Sequence, residues 1–583
     1  MLARKFLLTF VAIGLLLQPG TAGSEEPPQR QAPEEWIPQL SRAIYSQVVR
    51  TTHYIAAEDG SQLSLTVHLP QGLPVGTKVP TLLQLTPYRP LDQALGGYGS
   101  FEYFVKRGAA YVEADERGTG GSQGCLDFGG SLDRSDARVF ANWIRSQPWS
   151  NGKIVTDGIS HPGMGSVSAH AAVPGLTGAL AHAPVVSYYQ DEWLQGAKFE
   201  DQFNGPLYQA IELAPPLPPE FEGADAIEGQ VAPCTGRTTL DYSWPTGEFS
   251  PLWADRDLSR HIEHPETPIL LTHGFVDMNV HPDHSQLYWD ALRDDAPKYG
   301  IFGWWYHGWP SMNGHPFDRF DHVRHRWLDA LLFERDNGLW AEPRVLVEDN
   351  THVWHEGHDW PLEQSTEVVL RPASGGALQE GAPAAGQASY PDMPGSIRGK
   401  WTGAHVAFRT DPFAKDMLIN GAPQLDLVGS SNLTETKWVA YLMEETPDGR
   451  WHRITHGYAD SHTWNGEDKW EVMTPGTKYE WTLRLLPTAF VVPEGSRLTL
   501  VITSQDSRNV DDPRQSGDDA CWEDYRGGCY APSGILPAAT MGAATNTVYL
   551  GPDGTSLRLA WVDPNITAKP PWDHDTNWPP IVP

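Results

Sequence analysis

Positive charge is scarce in this chain of 583 residues, with 42 Lys and Arg against 73 Asp and Glu and a formal net charge of −31. Phosphate backbones are held by Lys and Arg, so a nucleic-acid partner is excluded as the main role. Cysteine is also sparse, at four residues, and no C-x-x-C pair occurs, which argues against Cys-ligated zinc. Nor is there an H-E-x-x-H segment or an internal repeat at a solenoid period. Gly 56 and Pro 50 make up about 18% of the residues, below the roughly 25–30% that marks low-complexity chains. At about 150 residues per domain, what remains is enough for three or four folded units.

Long apolar runs are missing with one exception. Phe6 to Leu17 is apolar apart from Thr9 and Gly14, follows Arg4 and Lys5, and precedes small residues from Gly20 to Ser24. Spanning a bilayer takes about 20 residues, so residues 1–23 read as a removable signal peptide rather than an anchor. No Cys lies near the cut, which leaves out the usual lipid attachment. The mature protein is therefore expected to be secreted or periplasmic and to have no membrane association. The cysteines fit an oxidising compartment. Four of them allow three pairings. The loop-like W-E-D-Y-R-G-G between Cys521 and Cys529 favours that bridge, leaving Cys125 with Cys234; four reduced, buried thiols are the alternative.

After a Pro-, Gln- and Glu-rich linker over 24–46, apolar runs begin near Val48. Leu63 to Leu69, Val79 to Leu85 and Ala109 to Ala114 read as strands. Ala137 to Gln147 has helical spacing, and Ile154 to Thr156 reads as a buried strand. Strands alternating with helices predict an α/β layer with a parallel sheet, in two parts over 47–187 and 256–345. Between them, 188–255 turns acidic, aromatic and Pro-rich, as an insertion would. Pro268 to Thr272 continues the strand pattern and His322 to Phe333 the helical one. Beyond Val345, strands at Val406–Arg409, Leu425–Val428, Trp438–Met443, Trp481–Leu486 and Leu498–Thr503 follow one another without helices. Residues 346–583 are thus expected to form an all-β sandwich or jelly roll.

Three segments carry candidate chemistry. Lys153 to Gly163 runs strand, turn, helix, with Ser160 where a sharp turn lifts a hydroxyl above the sheet edge. The pattern departs from G-x-S-x-G, because Pro162 stands where the second Gly is expected. Proline is tolerable there, since the first helical turn has no use for its N–H, and the N–H needed for an oxyanion belongs to His161. The second segment, Leu270 to His284, places Asp277 just past an apolar strand. The third, Gly303 to Pro310, places His307 in a Gly- and Trp-rich loop. The chain order Ser160, Asp277, His307 is that of the α/β-hydrolases. His315 is the second candidate base, while His281 and His284 read as surface loop residues. A zinc reading of His273, His281, Asp283, His284 and His307 is disfavoured, because Pro282 interrupts any helical pair. No cofactor is called for.

With those residues in place, the chain resembles the X-prolyl dipeptidyl-peptidase and cocaine-esterase family of serine hydrolases, over nearly its whole length. Leu85-Thr-Pro-Tyr88 is similar to the family's N-P-Y segment, and Asp115 to Gly124 to its D-x-R-G-T-G-x-S-x-G run. Gly158 to Gly163 resembles its G-x-S-Y-x-G elbow, with His161 in place of the Tyr. His273 to Val280 resembles the H-G-x-x-D-x-N-V of the dipeptidyl-peptidase branch, and Trp305 to Gly308 matches the His loop loosely. The resemblance implies an α/β-hydrolase fold with an inserted helical cap and a C-terminal jelly roll, and an oxyanion hole completed by the Tyr88 hydroxyl.

The expected partner is a small peptide or ester. A dipeptidyl-peptidase must bind a free N-terminal ammonium, and a buried cation needs a carboxylate. Asp191 and Glu192 are the candidates, with a solvated acidic loop as the alternative. A carboxylic-ester hydrolase or acylase is the second functional reading. A non-catalytic carbohydrate-binding protein, suggested by 24 Trp, is the distant third, since aromatics of a large sandwich are more often core. Oligomeric state, a homo-oligomer included, is left open.

Overall fold

The sequence alternates side-chain faces along its buried strands, and that alternation builds two cores, one on each side of a single sheet. The computed structural model describes residues 33–88, 101–198, 246–277, 279–310, 320–392, 405–504 and 544–568. Among the described residues the first sheet has ten strands. They are β1 (Val48–Ala56), β2 (Gln62–Pro70), β3 (Val79–Thr86), β4 (Ala110–Asp115), β5 (Ser150–Ile159), β6 (Gly178–His182), β7 (Ile269–Gly274), β8 (Lys298–Gly303), β9 (Val345–Glu348) and β10 (Trp354–Gly357). Their spatial order is β1-β2-β4-β3-β5-β6-β7-β8-β9-β10. From β4 to β9 neighbouring strands are parallel, and antiparallel strands close both edges.

A parallel sheet is covered on both faces, so its strands are apolar throughout rather than alternating. Leu83, Ile154, Ala181 and Leu271 point to one face, where they join Phe140 and Ile144 of helix α1 (Ser131–Ser146) and Val167 of α2 (His161–Ala172). Their chain neighbours Leu82, Val155, Leu180 and Leu270 point to the other, where they meet Val323, Trp327 and Leu331 of a helix over Phe320–Phe333. Full burial of such side chains contributes roughly 1.5–3 kcal/mol each, and this two-sided core is what holds the strand ends in place.

The expected strands and helices up to His322–Phe333 are found, with ends shifted by a few residues. The linker expectation needs correction at its C-terminal end. Trp36, Ile37, Leu40 and Ser41 are buried, the Arg326 guanidinium covers the Trp36 ring, and the Ser41 hydroxyl and N–H both donate to Asp329 at 2.6 Å. Strand β9 runs across the expected boundary at 345/346 and, with β10, belongs to the first sheet, which continues through Gly357.

Residues from Thr366 onward form a second, β-rich unit with a twelve-stranded sheet. Its core gathers Leu425, Leu427, Trp438, Leu442, Leu500 and Leu559. Its central strands are buried on both faces too, as at Lys437–Glu445, where seven consecutive residues are buried. This unit docks on the first. Gln195 exchanges side-chain hydrogen bonds with the backbone of Arg484, and its carbonyl accepts from the N–H of Asp460. The Trp304 indole donates to the carbonyl of Ala489, the Val491 N–H to Asn350, and the Phe249 N–H to the carbonyl of Glu467. Among the described residues no helix is long and apolar enough to cross a membrane. Residues 1–23, most of 188–255, Cys234, Cys521, Cys529 and His315 lie outside the described residues; Cys125 is disulfide-bonded.

Candidate active site

In parallel registers the strands end in line, which places the residues that follow them on one edge of the sheet. Ile159 pairs with His182, His182 with Thr272, and Gly274 with Gly303. Ser160, Asp277 and His307 each follow one of these strands, β5, β7 and β8. Ligands of open α/β sheets bind at this carboxyl edge.

Ser160 sits at φ 64° and ψ −126°, a conformation that a non-glycine residue adopts only when its surroundings impose it. Those surroundings are visible. The Ser160 N–H donates to the carbonyl of His182 at 2.9 Å, and its carbonyl accepts from the N–H of Met164 at 3.0 Å. The turn also needs bare backbone before it, because a Cβ on Gly158 would lie 2.1 Å from the carbonyl oxygen of Pro162. Pro162 is in the first turn of α2, as expected. The N–H of His161 is likewise at that helix's start, where N–H groups have no intrahelical acceptor.

Asp277 is fully buried and His307 nearly so. His307 Nδ1 donates to Asp277 Oδ2 at 2.8 Å, which leaves Nε2 as the lone-pair nitrogen able to take a proton. The other Asp277 oxygen accepts the N–H groups of Asn279 and Val280, both at 3.0 Å. Burial pushes the Asp277 carboxyl up, but the charge and hydrogen bond of His307, the nearby His273 and the Val280 N–H outweigh it, so it titrates below its ordinary value.

His273 lies 3.6 Å from Asp277, yet its own bonds fix it as neutral. Its Nε2 faces the carbonyl of Val280 at 2.9 Å and must carry the proton, while Nδ1 accepts from the Ser285 hydroxyl at 2.7 Å. Burial holds its pKa down at about 4. It braces the 277–280 turn rather than competing for the proton.

The loop after β8 is held by three indoles. Trp304 is bonded to Ala489, Trp305 donates to the carbonyl of Gly308 at 3.2 Å, and the Trp309 ring meets the His182 ring edge-on at 5.2 Å. His307 therefore lies on a span that starts at β8 and reaches β6, the strand beside the Ser160 turn. Gly308, at φ 114°, makes the bend that a side chain would resist.

Tyr88 follows β3 and is half-buried, and its ring meets that of His161 edge-on, at 6.0 Å between centroids. The structure thus brings Tyr88 beside the start of α2. The D-E-R-G-T-G-G-S run proves to be scaffolding around it. Arg117 makes a bidentate pair with Asp136 of α1, at 2.8 and 2.7 Å, and Asp115 accepts from the N–H of Gly121 and, through its carbonyl, from Ser122. Glu116 meets His161 Nε2 at 2.6 Å.

Asp191 and Glu192 end the short helix α3 (Tyr188–Glu192) and are each 3% exposed. They are not a solvated acidic loop. His281 and His284 are corrected in the same way, since both are buried rather than at the surface. His284 Nδ1 accepts from the N–H of Val186 at 3.1 Å, and its Nε2 lies 3.7 Å from Asp191. His284 stands on helix α4 (Asp283–Ala291), which buries it together with Ser285, Tyr288 and Trp289. Among the described residues no three His, Cys, Asp or Glu side chains gather as a metal-binding group. Sequence reasoning gave Glu116 no role of its own and weighed His273 and His284 only as disfavoured zinc ligands, His284 also as a surface residue, because their partners are set by the fold. The one available signal was their nearness to strand ends.

Comparisons with known proteins bear on the family and the fold. Residues 59–309 match the family model described as X-Pro dipeptidyl-peptidase (S15 family), and 337–557 match the X-Pro dipeptidyl-peptidase C-terminal non-catalytic domain. The chain is 25% identical over 486 residues to a Streptomyces avermitilis protein provisionally named Xaa-Pro dipeptidyl-peptidase, covering 70% of this chain and 69% of that one. It is 23% identical over 491 residues to the Xaa-Pro dipeptidyl-peptidase of Lactobacillus helveticus, covering 70% of this chain and 60% of that protein. Two solved structures share the fold. A CocE/NonD family hydrolase of Staphylococcus aureus has a TM-score of 0.68 at 14% identity, over 90% of this chain and 96% of that one. An alpha-amino acid ester hydrolase has a TM-score of 0.64 at 18% identity, over 89% and 97%.

Proposed function

The chain belongs to the X-Pro dipeptidyl-peptidase (S15) family and is a serine hydrolase, and from that premise we propose that it removes X-Pro dipeptides from free peptide N-termini through an acyl-enzyme. Ser160 is the nucleophile. His307 takes its proton through Nε2, and Asp277 holds the imidazole in the tautomer that makes this possible. The Tyr88 hydroxyl and the His161 N–H stabilise the oxyanion, each such donor contributing ~2.7–4 kcal/mol. His307 then protonates the leaving amine, and water hydrolyses the acyl-enzyme.

The observation that carries this reading is the 2.8 Å bond between His307 and Asp277 on the sheet edge that also bears the Ser160 turn. The substrate choice rests on Asp191 and Glu192. Two carboxylates kept from water beside the strand edge suit a substrate ammonium, since a buried cation needs such a partner. The same pair would also suit an amino-acid ester, so ester and peptide substrates must be compared directly.

The test uses X-Pro-anilides with free and with acylated amines, beside simple aryl esters, with Ser160→Ala as control. Cleavage only of the free-amine anilide, abolished in Ser160→Ala, is the expected result. Faster turnover of aryl esters than of any X-Pro-anilide would assign the esterase reading instead. The proposal extends to export through residues 1–23, to a cap formed by 188–255, to a jelly-roll topology for the β-rich unit, and to Cys125–Cys234 and Cys521–Cys529 bridges. N-terminal sequencing of the mature protein and mass mapping of unreduced peptides test the first and last of these.

A further inference from the structure

Behind the carboxyl edge, on the face covered by the helix over Phe320–Phe333, one buried polar cluster touches each segment that ends in a proposed catalytic residue. Asp157 lies on β5, three residues before Ser160. Its Oδ1 accepts from His182 Nε2 at 3.0 Å, and its Oδ2 accepts from Nε of Arg324 at 2.7 Å and again from the same guanidinium's Nη2. His182 Nδ1 accepts from the Thr272 hydroxyl at 2.8 Å, and Thr272 is on β7, five residues before Asp277. The His182 carbonyl is the acceptor that holds the Ser160 N–H.

The His307 segment joins through Trp309. Its ring stands edge-on to His182 at 5.2 Å, stacks on Phe320 at 6.4 Å, and lies under the Arg324 guanidinium at 5.4 Å. A guanidinium within about 6 Å of an indole centroid is attracted to its face. Asp157, His182 and Thr272 are all buried, so these bonds are not exchanged with water. By strand alternation the three share the face of Val155, Leu180 and Leu270, which that helix covers.

We propose that Trp309 and Arg324, anchored on Asp157 and His182, are positioning residues that set the distance between His307 Nε2 and the Ser160 hydroxyl. Three strand segments and the loop after β8 share one rigid anchor, so the relative placement of the three proposed catalytic groups is fixed from behind. Loosening the Trp309 contact lets the His307 loop drift while leaving Asp191, Glu192 and the rest of the substrate pocket untouched. This inference rests on the triad reading above, and its test separates the two.

Trp309→Leu removes the aromatic face and keeps apolar bulk. We expect kcat to fall about 10–100-fold, the order of loss that a displacement near 1 Å causes, with KM within about twofold, because only the reacting geometry moves. Labelling of Ser160 by a fluorophosphonate should slow in parallel. Trp309→Phe, which restores an aromatic face, should recover most of both rates. Arg324→Met gives a second, independent readout if the first variant is poorly folded, and labelling is scored per folded molecule by near-ultraviolet circular dichroism. A folded Trp309→Leu or Arg324→Met enzyme with wild-type kcat, or with raised KM and unchanged kcat, overturns the inference. If the wild-type enzyme itself resists the fluorophosphonate, the triad reading is what has failed.

Discussion

The imidazole of His161 meets the carboxylate of Glu116 at 2.6 Å, and both side chains are buried. The pair lies directly behind the turn that carries Ser160 and beside the Tyr88 ring. It explains how a His can follow the nucleophile where the related motif has Tyr, because Glu116 supplies the partner that a buried imidazole needs. His161→Phe leaves that carboxylate alone among Asp133 and other acids, and breaking a buried pair by removing one partner costs roughly 3–5 kcal/mol. His161→Tyr, whose hydroxyl can donate to Glu116, should recover part of the loss. Urea denaturation midpoints check this, and a His161→Phe protein as stable as wild type would contradict it.

Asp277→Asn preserves shape but presents an amide N–H to one side of His307, which favours the wrong tautomer. By the triad logic kcat should fall by ~10⁴ with little change in stability. Steady-state kinetics decide it, and a loss under tenfold would remove Asp277 from the proposed role.

Gly158→Ala should abolish activity. The added methyl would meet the backbone oxygen of Pro162 at 2.1 Å, and backbone at the start of a packed helix cannot retreat as a side-chain tip could. Expression and fluorophosphonate labelling are the measurements; normal labelling would mean that the turn tolerates what its geometry forbids.

Part of the acid sensitivity can be assigned to a remote histidine. His170 is fully buried between the Thr267 carbonyl and the Tyr288 hydroxyl, and burial lowers its pKa to about 4. An unfolded chain binds a proton there below about 6.5 and the folded one does not, so stability falls as pH drops from about 6.5 towards 4. At pH 5 the cost is about 2 kcal/mol. Burial pushes the Asp136 carboxyl up to about 6, which acts in the opposite direction, so the quantity to measure is a difference. The stability of His170→Gln minus that of wild type should rise by about 2 kcal/mol between pH 7 and pH 5. A flat difference refutes the assignment.

The candidate site was legible where local chemistry constrains it. A strand that runs into a turn and then a helix rich in small residues announces Ser160, and Asp277 and His307 each stand just past an apolar run. The sheet was legible for the same reason, since strands covered on both faces are apolar at every position. What stayed hidden depends on distant partners. His281 and His284 look like loop residues beside Pro282, and only the docking of 183–198 and of the β-rich unit buries them. Glu116 and Asp157 read as ordinary charges at strand ends, since the residues that neutralise them, His161 and Arg324, are 45 and 167 positions away. The N-terminal stretch around Trp36 was hidden by its polar neighbours, although a Trp in a linker was itself a hint of a docked segment.

The chain leaves the hydrolase sheet at His182 and re-enters it at Ile269, and between them Gln195 and Phe249 are both hydrogen-bonded to the β-rich unit. The stretch between β6 and β7 thus takes part of its support from a module encoded hundreds of residues downstream. Grafting a different C-terminal module onto this hydrolase would therefore unfasten the stretch between β6 and β7 while leaving the strand ends that carry Ser160, Asp277 and His307 in their own sheet.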